Sequence, residues 1–124
     1  MARILIVDDI EANVDLLEQI LDDLYEIDIA RSAAEALEIL AKQRPDLILM
    51  DVALPGMSGL DATKAIRSMP RFAELPVIAV TSHAMRGDRA KALAAGCNDY
   101  LTKPVDEDLL LQTITLHLPS DAGL

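Results

Sequence analysis

Hydrophobic and polar positions along the chain follow two alternating periods. Short runs at Arg3 to Val7, Glu26 to Ala30, Asp46 to Met50, Pro76 to Val80 and Asn98 to Thr102 have the length and side chains of strands. Leu47 to Met50 and Val77 to Val80 are apolar at every position, the pattern of strands covered on both faces in a parallel sheet. The run at 26–30 sets Ile27 and Ile29 against Glu26 and Asp28, which predicts a half-exposed edge strand. Between the runs lie stretches of helical period, each long enough to cross from one parallel strand to the next. Val14, Leu17, Leu21 and Leu24 share a face of the first, and Ala36, Leu37 and Leu40 serve the second. Ser32 with Glu35 has capping-box spacing, and Ser58 with Asp61 is an acidic variant of it. Asp106 is placed to cap the last helix, Val105 and Leu110 occupy staple positions, and Gly96 suits a left-handed helix end. The expected architecture is α/β, a doubly wound (βα)5 domain with a five-stranded parallel sheet. It is expected to span residues 1–118, with residues 119–124 as a flexible tail.

Composition narrows the function classes. The 124 residues carry 11 Lys and Arg against 21 Asp and Glu, a net charge of −10. Nucleic-acid affinity depends on cations that neutralise phosphates, so a nucleic-acid partner is not expected. No apolar run approaches the roughly 20 residues that span a bilayer, and the N-terminus lacks signal-peptide form. Cys97 is the only cysteine, which forbids an intrachain disulfide, and the expected compartment is the cytoplasm. Cys97 fits a small core residue, and His117 a helix C-terminal residue that complements the dipole. Neither histidine has zinc-like spacing. The glycines form no nucleotide-binding loop.

The chemistry lies at the strand ends. In a sheet of this kind the ligand crevice sits outside the carboxyl ends of the strands. Asp8 and Asp9 follow the first predicted strand, Asp51 the third, Thr81 the fourth and Lys103 the fifth. If strands one and three are neighbours, three carboxylates share one small volume, which is costly unless a cation offsets them. Oxygen donors without His or Cys select a hard ion, and a few carboxylates plus waters suit Mg²⁺. A metal, an ammonium and a hydroxyl around a nucleophilic carboxylate are what phosphoryl transfer to Asp51 requires.

These residues and their surroundings carry a family resemblance. The acidic pair Asp8-Asp9, the segment Asp51-Val52-Ala53-Leu54-Pro55-Gly56-Met57-Ser58-Gly59, Thr81-Ser82 and Tyr100-Leu101-Thr102-Lys103-Pro104 occur in order, each near the end of a predicted strand. Over residues 2–118 the chain resembles the receiver domain of two-component response regulators. The segment Ala79 to Asp88 is most similar to stand-alone regulators of the DivK type and to the receivers of hybrid kinases. The resemblance implies a flavodoxin-like strand order of 2-1-3-4-5 and a cis bond at Lys103-Pro104. It implies that Asp51 accepts a phosphoryl group from a sensor histidine kinase or a histidine phosphotransfer protein. Asp9, Asp51 and the Ala53 carbonyl would hold Mg²⁺, with Asp8 acting through water. Thr81 and Lys103 would contact the phosphoryl group, and Tyr100 would be the aromatic that switches with Thr81.

Two positions that vary within that family modulate the expectation. Ala53 has no side chain to orient an attacking water, and His83 could shield the phosphoryl group, so its lifetime is expected to be minutes or longer. The output surface is expected on the fourth-helix, fifth-strand and fifth-helix face, with Tyr100 and Arg86 to Lys91. No output domain is expected after the fifth helix, so the signal would leave through a protein effector, the chain being a monomer or weak dimer. Two other readings compete. A turnover phosphatase that uses the same aspartyl-phosphate, such as the haloacid-dehalogenase-like enzymes, carries a second Asp two residues after its nucleophile. Here that position is Ala53, which speaks against a turnover enzyme. A constitutive, non-phosphorylated adaptor would not need the intact set of site residues.

Overall fold

A computed structural model describes residues 1–82 and 87–119. Five strands, β1 (Arg3–Val7), β2 (Glu26–Ala30), β3 (Leu47–Asp51), β4 (Val77–Thr81) and β5 (Asp99–Thr102), alternate with five helices. These are α1 (Glu11–Leu21), α2 (Ala33–Lys42), α3 (Gly59–Arg67), α4 (Asp88–Ala95) and α5 (Glu107–His117), with a 3₁₀ turn at Pro70–Phe72. All strand pairs are parallel, in the order β2-β1-β3-β4-β5. This is the doubly wound, flavodoxin-like sheet that the sequence leads one to expect.

The period-2 pattern divides the core between the two faces of the sheet. Ile4, Ile6, Leu47, Leu49, Ile78 and Val80 pack with Leu17 and Leu21 of α1 and Leu110 and Ile114 of α5. Leu5, Val7, Ile48, Met50, Val77 and Ala79 pack with α2, α3 and Ala92 of α4. Ile4 to Val7 of β1, Leu47 to Met50 of β3 and Val77 to Val80 of β4 are apolar at every position because each successive side chain meets a helix on one face or the other. At the β2 edge Glu26 and Asp28 stay partly exposed and pair with Arg3 at 2.7 and 3.0 Å.

The helix ends follow the predicted chemistry with two adjustments. Ser32, Ser58 and Asp106 accept hydrogen bonds from the backbone of Glu35, Asp61 and Leu109. The Glu35 carboxylate reaches the Arg31 N–H, one residue before the cap, so the reciprocal half of the box is displaced. Gly96 ends α4 at φ 111°, a conformation that costs glycine little. α1 stops at Leu21, so Leu24 leaves the apolar face of the helix and is 50% exposed.

Three strands start one residue later than their hydrophobic runs suggest, and two also end one later. Asp46 uses its side chain to accept from Arg3 N–H and its own N–H to donate to the Arg3 carbonyl, which makes it the entry to β3. Pro76 has no N–H, and Asn98 accepts the Val77 N–H with its side chain. The consequence falls at the other end: Asp51 pairs with Val80 and Thr81 with Thr102, so both polar residues are the last members of their strands.

Candidate functional site

Asp51 is set in place by its backbone. It closes the central strand and is 4% exposed. Asp8 directly follows β1, its N–H donates to the Ala30 carbonyl, and it is 2% exposed. Because β1 and β3 are neighbours, Asp8, Asp9 and Asp51 bring carboxylate oxygens within 4.8 Å of one another, Asp9 from an exposed position.

Lys103 reaches this group from the far side. The Lys103 N–H donates to the Thr81 carbonyl at 2.7 Å, which ties the end of β5 to β4, and the Lys103-Pro104 bond is cis. Its Nζ lies 2.7 Å from Asp8 Oδ2 and 3.6 Å from Asp51 Oδ1. The ammonium therefore pairs primarily with Asp8. Asp8 Oδ1 also accepts from Ile10 N–H at 3.0 Å. Among the described residues, Asp51 Oδ1 accepts a longer bond, 3.2 Å, from Ala53 N–H. Burial pushes the Asp51 carboxyl up, Lys103 pulls it down, and Asp8 and Asp9 push it up again; the net direction is upward. An ionised carboxylate at this position has less electrostatic compensation than it needs, which suits a group that takes a ligand.

Whether a divalent cation fits can be judged from the donors. All three side chains offer oxygen and none offers imidazole or thiolate, the donor set of Mg²⁺ and its hard relatives. Among the described residues, one ammonium facing two buried carboxylates and one exposed carboxylate leaves net negative charge in the cleft. The residues fit the ion.

Thr81 and Tyr100 lie on the α3–α4 side of this cleft. With Val52, Ala53, Leu60, Asp88 and Lys91 they line a cavity of about 120 Å³. Tyr100 is half-buried, and its hydroxyl is buried with no hydrogen-bond partner among the described residues. Burial, and next the charge of Asp88, hold its phenol above the ordinary range. Thus Asp8, Asp9, Asp51 and Lys103 converge, and Ala53, Thr81 and Tyr100 share the adjoining cavity. His83 and Arg86 lie outside the described residues.

Residues to which the sequence assigned no part in the site lie around it. Gly59 sits against the backbone of Asp51: a Cβ built on it would lie 2.0 Å from the Asp51 carbonyl oxygen. A glycine directly after a Ser cap was the available signal. On the outer face Asp99 accepts from Tyr100 N–H and contacts His117 Nε2 at 2.9 Å and Arg89 Nη1 at 3.5 Å. Cys97 is buried, and burial pushes its thiol up, consistent with a core role.

Comparison with known proteins agrees with this geometry. The model of the response regulator receiver domain matches residues 4–115. The chain is 42% identical over 114 residues to the response regulator PleD of Caulobacter vibrioides, covering 91% of this chain but only a quarter (25%) of PleD. It is 39% identical over 116 residues to the polar-differentiation response regulator DivK of Brucella anthropi, covering 93% of this chain and 94% of DivK. Among solved structures, the receiver domain of the sensor histidine kinase PA1611 from Pseudomonas aeruginosa, described with a magnesium ion coordinated in its active-site cleft, superposes with a TM-score of 0.86. That match has 36% identity and covers 94% of this chain and 96% of that one. The strand-end carboxylates, the lysine after the last strand and the 2-1-3-4-5 sheet are thus found in a chain that belongs to the response regulator receiver domain family.

Proposed function

We propose that Asp51 is the phosphoacceptor of this receiver, taking a phosphoryl group from a phosphohistidine on a histidine kinase or phosphotransfer protein. The observation that carries the reading is the state of Asp51: it is buried at the end of the central strand, and its nearest cation is pledged to Asp8. In the reaction an Asp51 carboxylate oxygen forms the new O–P bond as the N–P bond breaks, and the N–P electron pair returns to the departing imidazole. The products are an acyl phosphate and a free histidine.

The chain's own groups have distinct parts in this scheme. Lys103 Nζ, 3.6 Å from Asp51, offsets charge on the phosphoryl oxygens. The Ala53 N–H holds the Asp51 carboxylate in one orientation. Thr81 presents a hydroxyl from the end of β4, and Tyr100 borders the same cavity. Asp9, Asp51 and the Ala53 carbonyl would hold Mg²⁺ directly. Asp8 would act through water, its oxygens being partly committed to Lys103 and Ile10. When bound, Mg²⁺ supplies neutralisation of the charge that gathers at the transferring group. The ion in the PA1611 receiver supports the same choice here.

Phosphorylation puts an acyl phosphate of about −1.5 to −2 charge in place of the single negative charge of the Asp51 carboxylate, beside Thr81 and the cavity that Tyr100 lines. The output is a change in population of the α4-β5-α5 face, read by a protein effector. No helix among the described residues is long and apolar enough to cross a membrane. The test is intact mass after incubation with acetyl phosphate and Mg²⁺. A single phosphoryl adduct, lost in Asp51→Asn and without Mg²⁺, is expected; turnover of acetyl phosphate far beyond stoichiometry would instead favour a phosphatase.

A further inference from the structure

We infer that Gly59 is a positioning residue for the phosphoacceptor, because the first turn of α3 rests directly on the Asp51 peptide and leaves no space for a side chain there. The inference rests on the phosphoacceptor reading of Asp51. A Cβ at position 59 would stand 2.0 Å from the Asp51 carbonyl oxygen, 2.8 Å from its carbonyl carbon and 3.0 Å from Met50 Cγ. Two of these three atoms are backbone, so no rotamer change relieves the contact. Either the Asp51 peptide turns or α3 withdraws.

Withdrawal is opposed from several sides. Gly59 N–H donates to the Val52 carbonyl at 3.0 Å. Thr63 Oγ1 donates to the Gly59 carbonyl at 2.8 Å, and Thr63 is fully buried. Ser58 caps the helix, and Ala62 and Ile66 are buried in the core between α3 and the sheet. The strain therefore goes to the end of β3, where Asp51 is the last residue. Its carboxylate hangs from the peptide that must turn, and its alignment with Ala53 N–H and Lys103 Nζ depends on that peptide. Reactions that rely on positioning are sensitive to this: a misplacement of about 1 Å can cost on the order of 100-fold in rate.

The experiment compares wild type, Gly59→Ala and Leu40→Ala. Leu40 lies near the C-terminal end of α2 and is 1% exposed, so its truncation destabilises the core without touching the Asp51 peptide. Folding is checked by circular dichroism, the phosphorylation rate by intact mass at saturating Mg²⁺, and the Asp51 carboxylate by a crystal structure of Gly59→Ala. The expected result is a folded Gly59→Ala protein about 100-fold slower than wild type, with its carboxylate displaced from Lys103, beside a Leu40→Ala protein of near wild-type rate. A Gly59→Ala rate close to wild type overturns the inference, and so does an equal loss in Leu40→Ala. Should Gly59→Ala not fold, Thr63→Val decides: it frees the Gly59 carbonyl from the hydroxyl, and a slower rate supports the inference while an unchanged one overturns it. If wild type itself takes no phosphoryl group, the phosphoacceptor reading fails. The crystal structure then judges the positioning alone, a displaced carboxylate supporting it and an unmoved one overturning it.

Discussion

Lys103 Nζ stands 2.7 Å from Asp8 Oδ2 and 3.6 Å from Asp51 Oδ1, so the one cation that reaches the acidic cleft among the described residues is engaged chiefly by Asp8. Asp8 anchors the ammonium and Asp51 keeps an oxygen available for chemistry. That division of labour leads to several expectations.

Removal of the cation strands two buried carboxylates. Lys103→Met is expected to lower unfolding stability by about 3 kcal/mol in magnesium-free buffer, the scale of breaking a buried pair from one side. Urea denaturation measures it, and an unchanged midpoint would contradict the pairing. Phosphorylation of this variant should also be lost, because nothing replaces the charge beside Asp51.

Removal of a carboxylate has the opposite sign. The Asp51 carboxyl is held above its ordinary value, so its ionisation weighs against the fold near neutral pH and that cost lifts as pH falls through the raised folded value. Asp51→Asn is therefore expected to gain about 1 kcal/mol at pH 7 without metal. The gain should shrink in acid, as thermal unfolding at several pH values would show. Added Mg²⁺ should stabilise wild type by mass action more than the Asn variant; equal stabilisation would count against Asp51 as a ligand.

Asp99 predicts a second pH signature, away from the cleft. Burial alone would raise its carboxyl, but His117, the Tyr100 N–H and Arg89 together outweigh burial and hold it below the ordinary value. A depressed carboxyl contributes stability that is complete above its unfolded value and is lost as pH falls through the folded one. Asp99→Asn is thus expected to cost about 1 kcal/mol at pH 7, with the difference from wild type fading below roughly pH 4. A difference that persists undiminished in acid would point to packing instead.

If Asp51 is the phosphoacceptor, the residue two beyond it is expected to influence the lifetime of the acyl phosphate. Ala53 is exposed beside the cleft and has no functional group with which to orient water. The phosphorylated protein is expected to last minutes or longer, and Ala53→Asn to shorten that time several-fold. Acid-quenched decay measures both. Loss from wild type within seconds would sink the idea.

Much of this was legible in the sequence because the signals are local. Apolar runs at Leu47 to Met50 and Val77 to Val80 specify buried parallel strands, and each of Asp8, Asp51, Thr81 and Lys103 stands at or just past a strand end, where such sheets bind ligands. Caps at Ser32, Ser58 and Asp106 depend only on neighbours three residues away. What escaped depends on which helix lands where. Leu24 keeps the helical spacing of Leu17 and Leu21, yet the helix has already ended. Arg67 donates to the Gly96 carbonyl, the Phe72 carbonyl and Asn98 Oδ1 at 2.8–2.9 Å, a junction of distant segments that no window around residue 67 contains. Gly59 is visible as a glycine at a helix start, but its contact with Asp51 exists only once α3 packs on the end of β3.

Locating the phosphoryl group tests directly whether Asp51 is the acceptor. The protein is treated with acetyl phosphate and Mg²⁺, reduced with borohydride, which converts an aspartyl phosphate to homoserine, and digested for tandem mass spectrometry. Homoserine is expected at position 51, with aspartate retained at positions 8 and 9. Aspartate retained at position 51 in protein that carries a phosphoryl adduct would contradict it.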